Sequence, residues 1–407
     1  MKPLEFAQAE VLGSMRHSGA ETIELVDALG RVLAADVEAR EAVPHFPNSA
    51  MDGYAVQSGD VAKEGAMLRV VGEIPAGSPS DATLLPGCAM KIMTGAPMPD
   101  GADTVVRVED TERLDDVVKI QVEVPAGTSV RPAGDDIPEG ATVFESGVRL
   151  QSTHLAVLAT VGSSRPSVAR RPRVALFSTG DELASPSAAT LVPGQIRDSN
   201  RVMLRSLLSD VATVMDDGII RDDPVALRAG FGRAAAGADA IVASGGVSMG
   251  DHDHVRYILG DMGTVDFWQV AIKPAKPFAF GQIGGVPFFG LPGNPVSAFI
   301  AFEQLVRPAL LEMQGAKVHF RPLIRATAGA KIDSDPGRLE FVRVTLQIDG
   351  RGRLVASPSG GQGSHMLAAL AAADGLARIP VGESGVKAGQ SLDVEMFRNP
   401  ETRRWER

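Results

Sequence analysis

The sequence predicts an α/β multidomain protein. It has a central three-layer αβα domain, a small all-β domain before it and a small β-barrel or sandwich after it. Three observations lead there. Strands alternate with helices over roughly residues 171–320, the pattern of a sheet covered on both faces. Short β-type runs separated by turns fill residues 68–148 and return beyond Pro322. With 407 residues the chain exceeds what one core usually supports, so two to four domains are expected.

Taken in order, residues 4–16 read as a helix with Leu4, Ala7, Val11 and Leu12 near one face. Gly30 is a helix stop, and residues 31–37 form an extended run. Residues 44–49, with two prolines, are irregular. Asp52-Gly53 has hairpin-turn chemistry, a reading favoured over a carboxylate held on a rigid loop. Strands follow at 68–71, 89–93, 104–108 and 117–120. Two loops stand out among them. Thr94-Gly95-Ala96-Pro97 offers a hydroxyl beside a turn, and Arg131-Pro132-Ala133-Gly134-Asp135-Asp136 sets a cation near two carboxylates. Either is also compatible with a solvated loop. Residues 152–161 form a helix capped by Ser152 or Thr153. The Ser-, Pro- and Arg-rich segment 162–173 is the clearest domain boundary.

Within the αβα domain, strands at 173–177, 211–214, 238–243 and 265–272 alternate with helices. The helices start at Ser199, after Asp222-Asp223-Pro224, near His254 and after Pro295. Beyond Pro322, strands fall at 341–344, 352–355, 376–379 and 392–394.

Composition narrows the function. The formal charge of −10 excludes a nucleic-acid surface, because the overall field repels phosphate. An anionic ligand must then meet a local cluster of Lys and Arg. The single cysteine, Cys88, excludes an intramolecular disulfide and a thiolate metal cage, and fits a reducing cytosol. The N-terminus has no apolar signal core, and Gly or Pro interrupts every apolar stretch well short of a membrane span. With hydrophobic content of 44% and mean hydropathy near zero, a cytoplasmic protein without membrane contact is expected.

Chemistry concentrates at the pivotal stretch Ala238 to Asp253. A β-branched apolar run breaks there into Ser244-Gly245-Gly246-Val247-Ser248, a loop whose backbone N–H groups can approach a phosphate. A tight strand-to-helix turn without a ligand has the same composition. In an open α/β sheet, ligands bind past the carboxyl ends of the strands. The loops that reach this edge are Ser178-Thr179-Gly180-Asp181-Glu182, Arg221-Asp222-Asp223, residues 244–253, Lys273-Pro274-Ala275-Lys276-Pro277 and Leu291-Pro292-Gly293-Asn294-Pro295. Carboxylates at Glu182, Asp222 and Asp253 beside a phosphate cradle call for a bridging hard cation such as Mg²⁺. Lys273 and Lys276 would serve a second anion. The alternative for Asp222 is a helix cap. His252 and His254 hint at a transition metal but have no third nitrogen or sulfur ligand. A Walker loop and a dinucleotide fingerprint are both missing.

Six ordered motifs carry a family resemblance: Asn48-Ser49-Ala50-Met51-Asp52-Gly53-Tyr54-Ala55, Thr94-Gly95-Ala96-Pro97-Met98-Pro99, Ser178 to Leu183, Ser244 to Ser248, Lys273 to Pro277 and Gly290 to Pro295. With Gly337-Arg338-Leu339-Glu340-Phe341 and Gly361-Gln362-Gly363-Ser364-His365 in the last domain, the chain resembles the molybdopterin molybdenumtransferases, the family of MoeA and of the gephyrin E domain. The resemblance implies a homodimer of four-domain subunits. Residues 1–48 with 141–170 would form an elongated linker region of helix and strand. Residues 49–140 would be the small β-rich domain, 171–320 the αβα molybdopterin- and nucleotide-binding domain, and 321–407 the C-terminal β-barrel-like domain.

The implied reaction inserts molybdate into adenylylated molybdopterin with Mg²⁺ and releases AMP. Asp52, Glu182, Asp222 and Asp253 would be catalytic, the last three holding the metal. Thr94, Arg131, Asp136, Gly180, Ser244, Gly245, Gly246, Ser248, Pro292, Gly293 and Asn294 would bind pterin and nucleotide. Lys273, Lys276, Arg343 and Ser364 would bind molybdate. Asp52 and Thr94 would act across the dimer interface. Partners would include the adenylyltransferase that makes the substrate and the enzymes that accept the cofactor. Gln269 stands where many relatives have a basic residue, and Pro132 interrupts a loop that is more Arg-rich in some. The rival readings are a molybdopterin adenylyltransferase and a non-catalytic pterin-binding scaffold.

Overall fold

The computed structural model describes residues 1–78, 83–246 and 254–399. Among them, six strands form the central sheet in the order Thr213–Ile220, Arg173–Thr179, Ala240–Ser244, Val286–Leu291, Pro277–Ile283 and Gly263–Gln269. The first four run parallel, and the last two add an antiparallel hairpin edge. Buried on both faces, the inner strands read as unbroken apolar runs. Val174 and Leu176 join Leu204, Leu208 and the helix at 295–301 on one side. Ala175 and Phe177 meet Leu227, Phe231 and Ile258 on the other. Phe231 lies 5.3 Å from Phe177 and 5.8 Å from Phe288, ring to ring. Each such burial contributes about 1.5–3 kcal/mol.

The helix Leu4–Gly13 adds Leu4, Ala7 and Val11 to the first of these cores. Strand Ala20–Thr22 pairs with Ser167–Ala169, and Val37–Glu38 with Thr142–Phe144, around a small core of Ala28, Leu33, Leu150, Leu158 and Val168. The segment 162–173, expected to be a linker, therefore carries a paired strand. Its apolar Val168, buried at 0% exposure, drives the pairing. The helix Ser152–Thr160 is preceded by Gln151 at the cap position, not capped by Ser152 or Thr153. The Gln151 N–H donates to His154 Nδ1 at 3.1 Å, and both hydroxyl residues lie inside the first turn.

The β-rich part is a six-stranded sheet among the described residues, ordered 104–107, 53–56, 88–92, 67–74, 117–120 and 111–114. The Asp52-Gly53 hairpin expectation is corrected here. Gly53 opens the strand Gly53–Val56, pairing with Ile92 and Arg107. A Cβ there would stand 2.0 Å from the Val106 carbonyl oxygen, so close strand approach, not turn geometry, requires this glycine.

After residue 320, strands Leu339–Ile348, Leu354–Pro358, Leu323–Ala328, Ser391–Met396 and Gly375–Ile379 pair in that order. The last returns to the first, closing a barrel. Ile272–Lys273 runs parallel to Leu339–Glu340 and so ties the barrel to the αβα domain.

Candidate functional site

Register aligns the carboxyl ends of the parallel strands: Thr179 lies opposite Ile220, Ser178 opposite Ser244, and Ser244 opposite Leu291. The loops beyond them enclose a crevice of about 90 Å³. Its lining includes Ser178, Thr179, Glu182, Ser244, Gly245 and Gly293, together with Asp198 and Asn200. Gly245 adopts φ +95°, and a Cβ there would lie 2.5 Å from the Thr179 carbonyl oxygen. The loop therefore folds back onto the first strand only with glycine.

Two residues not singled out from the sequence hold the crevice in shape. Asn200 donates from Nδ2 to Ser244 Oγ at 2.9 Å and to the Gly293 carbonyl at 2.8 Å, joining two of the predicted binding loops. Asp198, 1% exposed, accepts from Ser178 Oγ at 3.1 Å and caps the helix Ser199–Ser209 through the Arg201 N–H. Arg201 then bonds both oxygens of Asp216. The signal was present as Asp198-Ser199-Asn200, an acidic cap at a predicted helix start. Thr179, in the predicted Ser178–Glu182 loop, has a buried Oγ1 under the Gly245-Gly246 turn with no partner among the described residues.

The acidic groups gather at the ends of two adjacent strands. The Glu182 carboxylate folds over Gly180, 2.6 Å from where a Cβ would stand. The Asp222 N–H donates to Asp181 Oδ1 at 3.3 Å. The cap of the helix Pro224–Gly237 is Asp223, which accepts from the Ala226 N–H at 2.9 Å, so Asp222 is not the cap. The donors here are all oxygens, which fits Mg²⁺ shared with phosphate oxygens better than a metal that needs sulfur or imidazole. Among the described residues, no three such side chains close into a ready-made cage. Ser248, Asp253 and His252 lie outside the described residues, as does the His254 side chain.

The predicted anion-binding residues sit where the αβα domain meets the barrel. Pro274 follows a cis peptide, and Ala275 adopts φ +79°. Lys273 Nζ lies 3.1 Å from Glu340, itself 5% exposed, so its charge is compensated. Lys276 is exposed, without an ion pair among the described residues. Arg343 is fully buried at 0% exposure, not lining an open surface. It donates from Nη2 to the carbonyls of Gly361 (2.8 Å) and Gly363 (3.2 Å), while its Nε and Nη1 have no partner among the described residues. Burial pushes its pKa down and Glu340 opposes that. The neighbouring Ser364 carbonyl accepts from the Val296 N–H at 3.1 Å, joining this loop to the helix that begins at the crevice. Pro292 is buried, and Gly293 and Asn294 are exposed at its entrance.

Asp52 and Thr94 meet at the β-rich sheet. Asp52 Oδ1 accepts from the Thr94 N–H (2.7 Å) and Oγ1 (2.8 Å), and these bonds, the backbone one first, hold its pKa below the usual carboxylate value. Arg131 pairs with Asn48, and the Asp136 N–H donates to the Val43 carbonyl. Among the described residues, the hydrogen bonds of Asp52, Thr94, Arg131 and Asp136 do not reach the crevice.

Comparison with known proteins decides what the arrangement belongs to. Residues 2–162 match the MoeA N-terminal region (domain I and II), 175–312 a probable molybdopterin binding domain, and 325–397 the MoeA C-terminal region (domain IV). The chain is 39% identical over 406 residues to molybdopterin molybdenumtransferase 2 of Mycobacterium tuberculosis, covering 97% of this chain and 99% of the relative. The chain belongs to the MoeA family. The molybdopterin molybdenumtransferase of Haemophilus influenzae is 35% identical over 401 residues, covering 98% of this chain and 99% of that one. The crystal structure of a MoeA protein from Pyrococcus horikoshii superposes with a TM-score of 0.85 at 27% identity, covering 98% of this chain and 100% of that one. MoeA similarity thus extends through the β-rich and barrel regions, which sets aside an adenylyltransferase consisting of the αβα domain alone. Membership makes the chain a transferase of molybdenum-cofactor biosynthesis.

Proposed function

We propose that this MoeA family member inserts molybdate into adenylylated molybdopterin in a Mg²⁺-dependent reaction that releases AMP, and that it works as a cytoplasmic homodimer. The observation that carries the reading is Arg343: a buried guanidinium with two free donors, Nε and Nη1, at the foot of the Gly361–Gly363 loop. Orphaned buried donors are costly, and a small oxyanion satisfies them. Lys276 and Ser364 would complete that pocket, with Lys273 positioned by Glu340.

In this reading the crevice holds the pterin phosphate and the nucleotide. The Gly246 N–H and the Ser244 hydroxyl would face the phosphates, while the Gly245 N–H, which donates to the Leu291 carbonyl at 3.0 Å, holds the loop against the neighbouring strand. Gly180, Pro292, Gly293 and Asn294 shape the nucleotide side, and Ser248 extends the phosphate loop. Glu182 and Asp222, with Asp253, would hold Mg²⁺, which supplies charge neutralisation at the phosphoanhydride. Asp52, kept ionised by Thr94, would act on the crevice of the other subunit, with Arg131 and Asp136 flanking it. That none of their hydrogen bonds among the described residues reaches the crevice supports this reading. The adenylyltransferase that makes the substrate and the enzymes that accept the cofactor would be partners.

The test is to load purified protein with adenylylated molybdopterin, add molybdate and Mg²⁺, and follow AMP. Release that depends on both is expected. A folded, loaded sample that releases no AMP with molybdate would remove the proposal. Binding of the pterin without any AMP release would make the protein a scaffold instead, whereas an AMP yield unchanged in a folded Asp52→Ala would remove Asp52 from the catalytic groups.

A further inference from the structure

A second cluster of cations lies at the opposite end of the crevice helix. Ser199–Ser209 begins at the crevice with Asn200, and its last turn stands about 15 Å away. There Arg149 donates from Nε to the Gly30 carbonyl (3.1 Å) and from Nη2 to the Asp210 carbonyl (3.0 Å) and Oδ1 (2.7 Å). Arg171 donates from Nη1 to the Ser209 carbonyl at 3.4 Å. The Nη2 atoms of both arginines lie within 4 Å of the point where a Gly30 Cβ would stand. Arg31, 9% exposed, bonds through Nη2 to Glu21 and to the Ala169 carbonyl at 2.8 Å.

Guanidinium groups capping the negative end of a helix explain part of this arrangement. Two features remain. Nε of Arg31 and Nε of Arg171 are buried with no acceptor among the described residues. The charges are also unequal: among the described residues, Arg31 pairs with Glu21, Arg149 pairs with Asp210, and Arg171 forms no ion pair. Beyond Asp210 stand Arg307 and Arg321, with Glu303 paired to the latter. Five guanidinium groups thus meet three carboxylates in a chain of net charge −10. Glu395, farther along beside Glu303 and Arg321, is pushed up to about 7 by burial and adds a fourth charge only when ionised. Burial, then Arg31 and Arg149, depress the Arg171 pKa, and Asp210 opposes them only in part, as expected where cations outnumber anions.

We propose that this junction is a binding site for a tetrahedral oxyanion, of the phosphate, sulfate or molybdate class, held by Arg31, Arg149 and Arg171. Guanidinium forks match such an anion geometrically. Bound there, it would tie the segments around Gly30 and Arg171 to the back of the helix that shapes the crevice.

The experiment is calorimetric titration of the full chain with inorganic phosphate, sulfate and molybdate at matched ionic strength. It compares wild type with Arg171→Gln and with Lys276→Ala, the latter altering the separate anion pocket proposed near the barrel. Saturable phosphate binding is expected in wild type and Lys276→Ala, weakened about tenfold or more in Arg171→Gln, the loss of one charge-assisted hydrogen bond. The oxyanion bound most tightly in Lys276→Ala identifies the ligand. If Arg171→Gln does not fold, Arg171→Lys, which keeps the charge but not the fork, should show a smaller loss. Absence of saturable binding in wild type overturns the inference. So does undiminished binding in the folded Arg171 variant, or loss confined to Lys276→Ala. Because phosphate binding is read without turnover, its failure is separable from failure of the AMP-release test.

Discussion

At the scale of single residues, hydrogen bonds explain more than charge does. Asp52 is exposed, yet two bonds from Thr94 hold its pKa down. Thr94→Val keeps the backbone donor and removes the hydroxyl, so the Asp52 pKa should rise part of the way towards its ordinary value. NMR titration of the carboxyl carbon reads this directly, and an unchanged pKa would show that the hydroxyl contributes nothing. A depressed carboxylate favours the folded state above its unfolded pKa, and that preference fades as pH falls through the native value. Asn200→Ala is a sharper probe. It removes the donor that joins Ser244 to Gly293, leaving the buried Ser244 hydroxyl and the part-buried Gly293 carbonyl without that partner. A loss of about 1–3 kcal/mol is expected in denaturant unfolding, with weakened pterin binding. If stability and affinity both stayed at wild-type values, the crevice would have to be held by other contacts.

At the scale of elements, the helical segment Phe302–Val306 widens to a π-turn between two α-helical stretches. It aims Glu303 and Gln304, both almost fully buried, at the barrel side. Gln304 Nε2 donates to Glu395 Oε1 at 2.7 Å, and Glu303 is bonded by Arg321 through both oxygens. Burial pushes Glu395 up to about 7, against the Gln304 bond and the attraction of Arg378 and Arg321, with Glu303 adding to the rise. Because the folded pKa is raised, the native state binds this proton more tightly than the unfolded chain. Its contribution is complete below the unfolded value near 4.5 and is lost as pH rises through 7. Glu395→Gln should therefore flatten the stability profile between pH 5 and 8, a difference on the order of 2–3 kcal/mol. Parallel profiles for variant and wild type would refute it.

The alternation of strand and helix and the crevice edge were legible from periodicity and Gly/Pro punctuation, whereas the last domain was legible only as a barrel or a sandwich, because closure rests on the pairing of Leu339–Ile348 with Gly375–Ile379. Asp52-Gly53 was not, because a strand crossing and a hairpin use the same dipeptide for different steric reasons. Asp222 and Asp223 were equally ambiguous as caps, since one residue decides which N–H a carboxylate can reach. Asn200 was missed because its role depends on two loops 44 and 93 residues away in sequence.

At the scale of the whole molecule, an acidic chain must confine its attraction for anions to short range, and the two lysines near the barrel divide that task. Lys273 spans the joint between sheet and barrel, where Ile272–Lys273 pairs with Leu339–Glu340 and the ammonium meets the buried Glu340 carboxylate. Glu340 also accepts from Ser334 Oγ at 2.8 Å, so removing the lysine leaves it partly satisfied. With Lys273 itself 40% exposed, Lys273→Ala should cost only about 1 kcal/mol, seen as a lower Tm. Lys276 has no such duty. Lys276→Ala should leave the Tm within a degree or two while raising the half-saturating molybdate concentration about tenfold, with pterin affinity near normal. The two variants measured side by side distinguish a joint from a ligand group. If Lys276→Ala lost pterin affinity in step with molybdate, the crevice and the anion pocket would be one site. The separation drawn from Glu340, Arg343 and the Gly361–Gly363 loop would then be wrong.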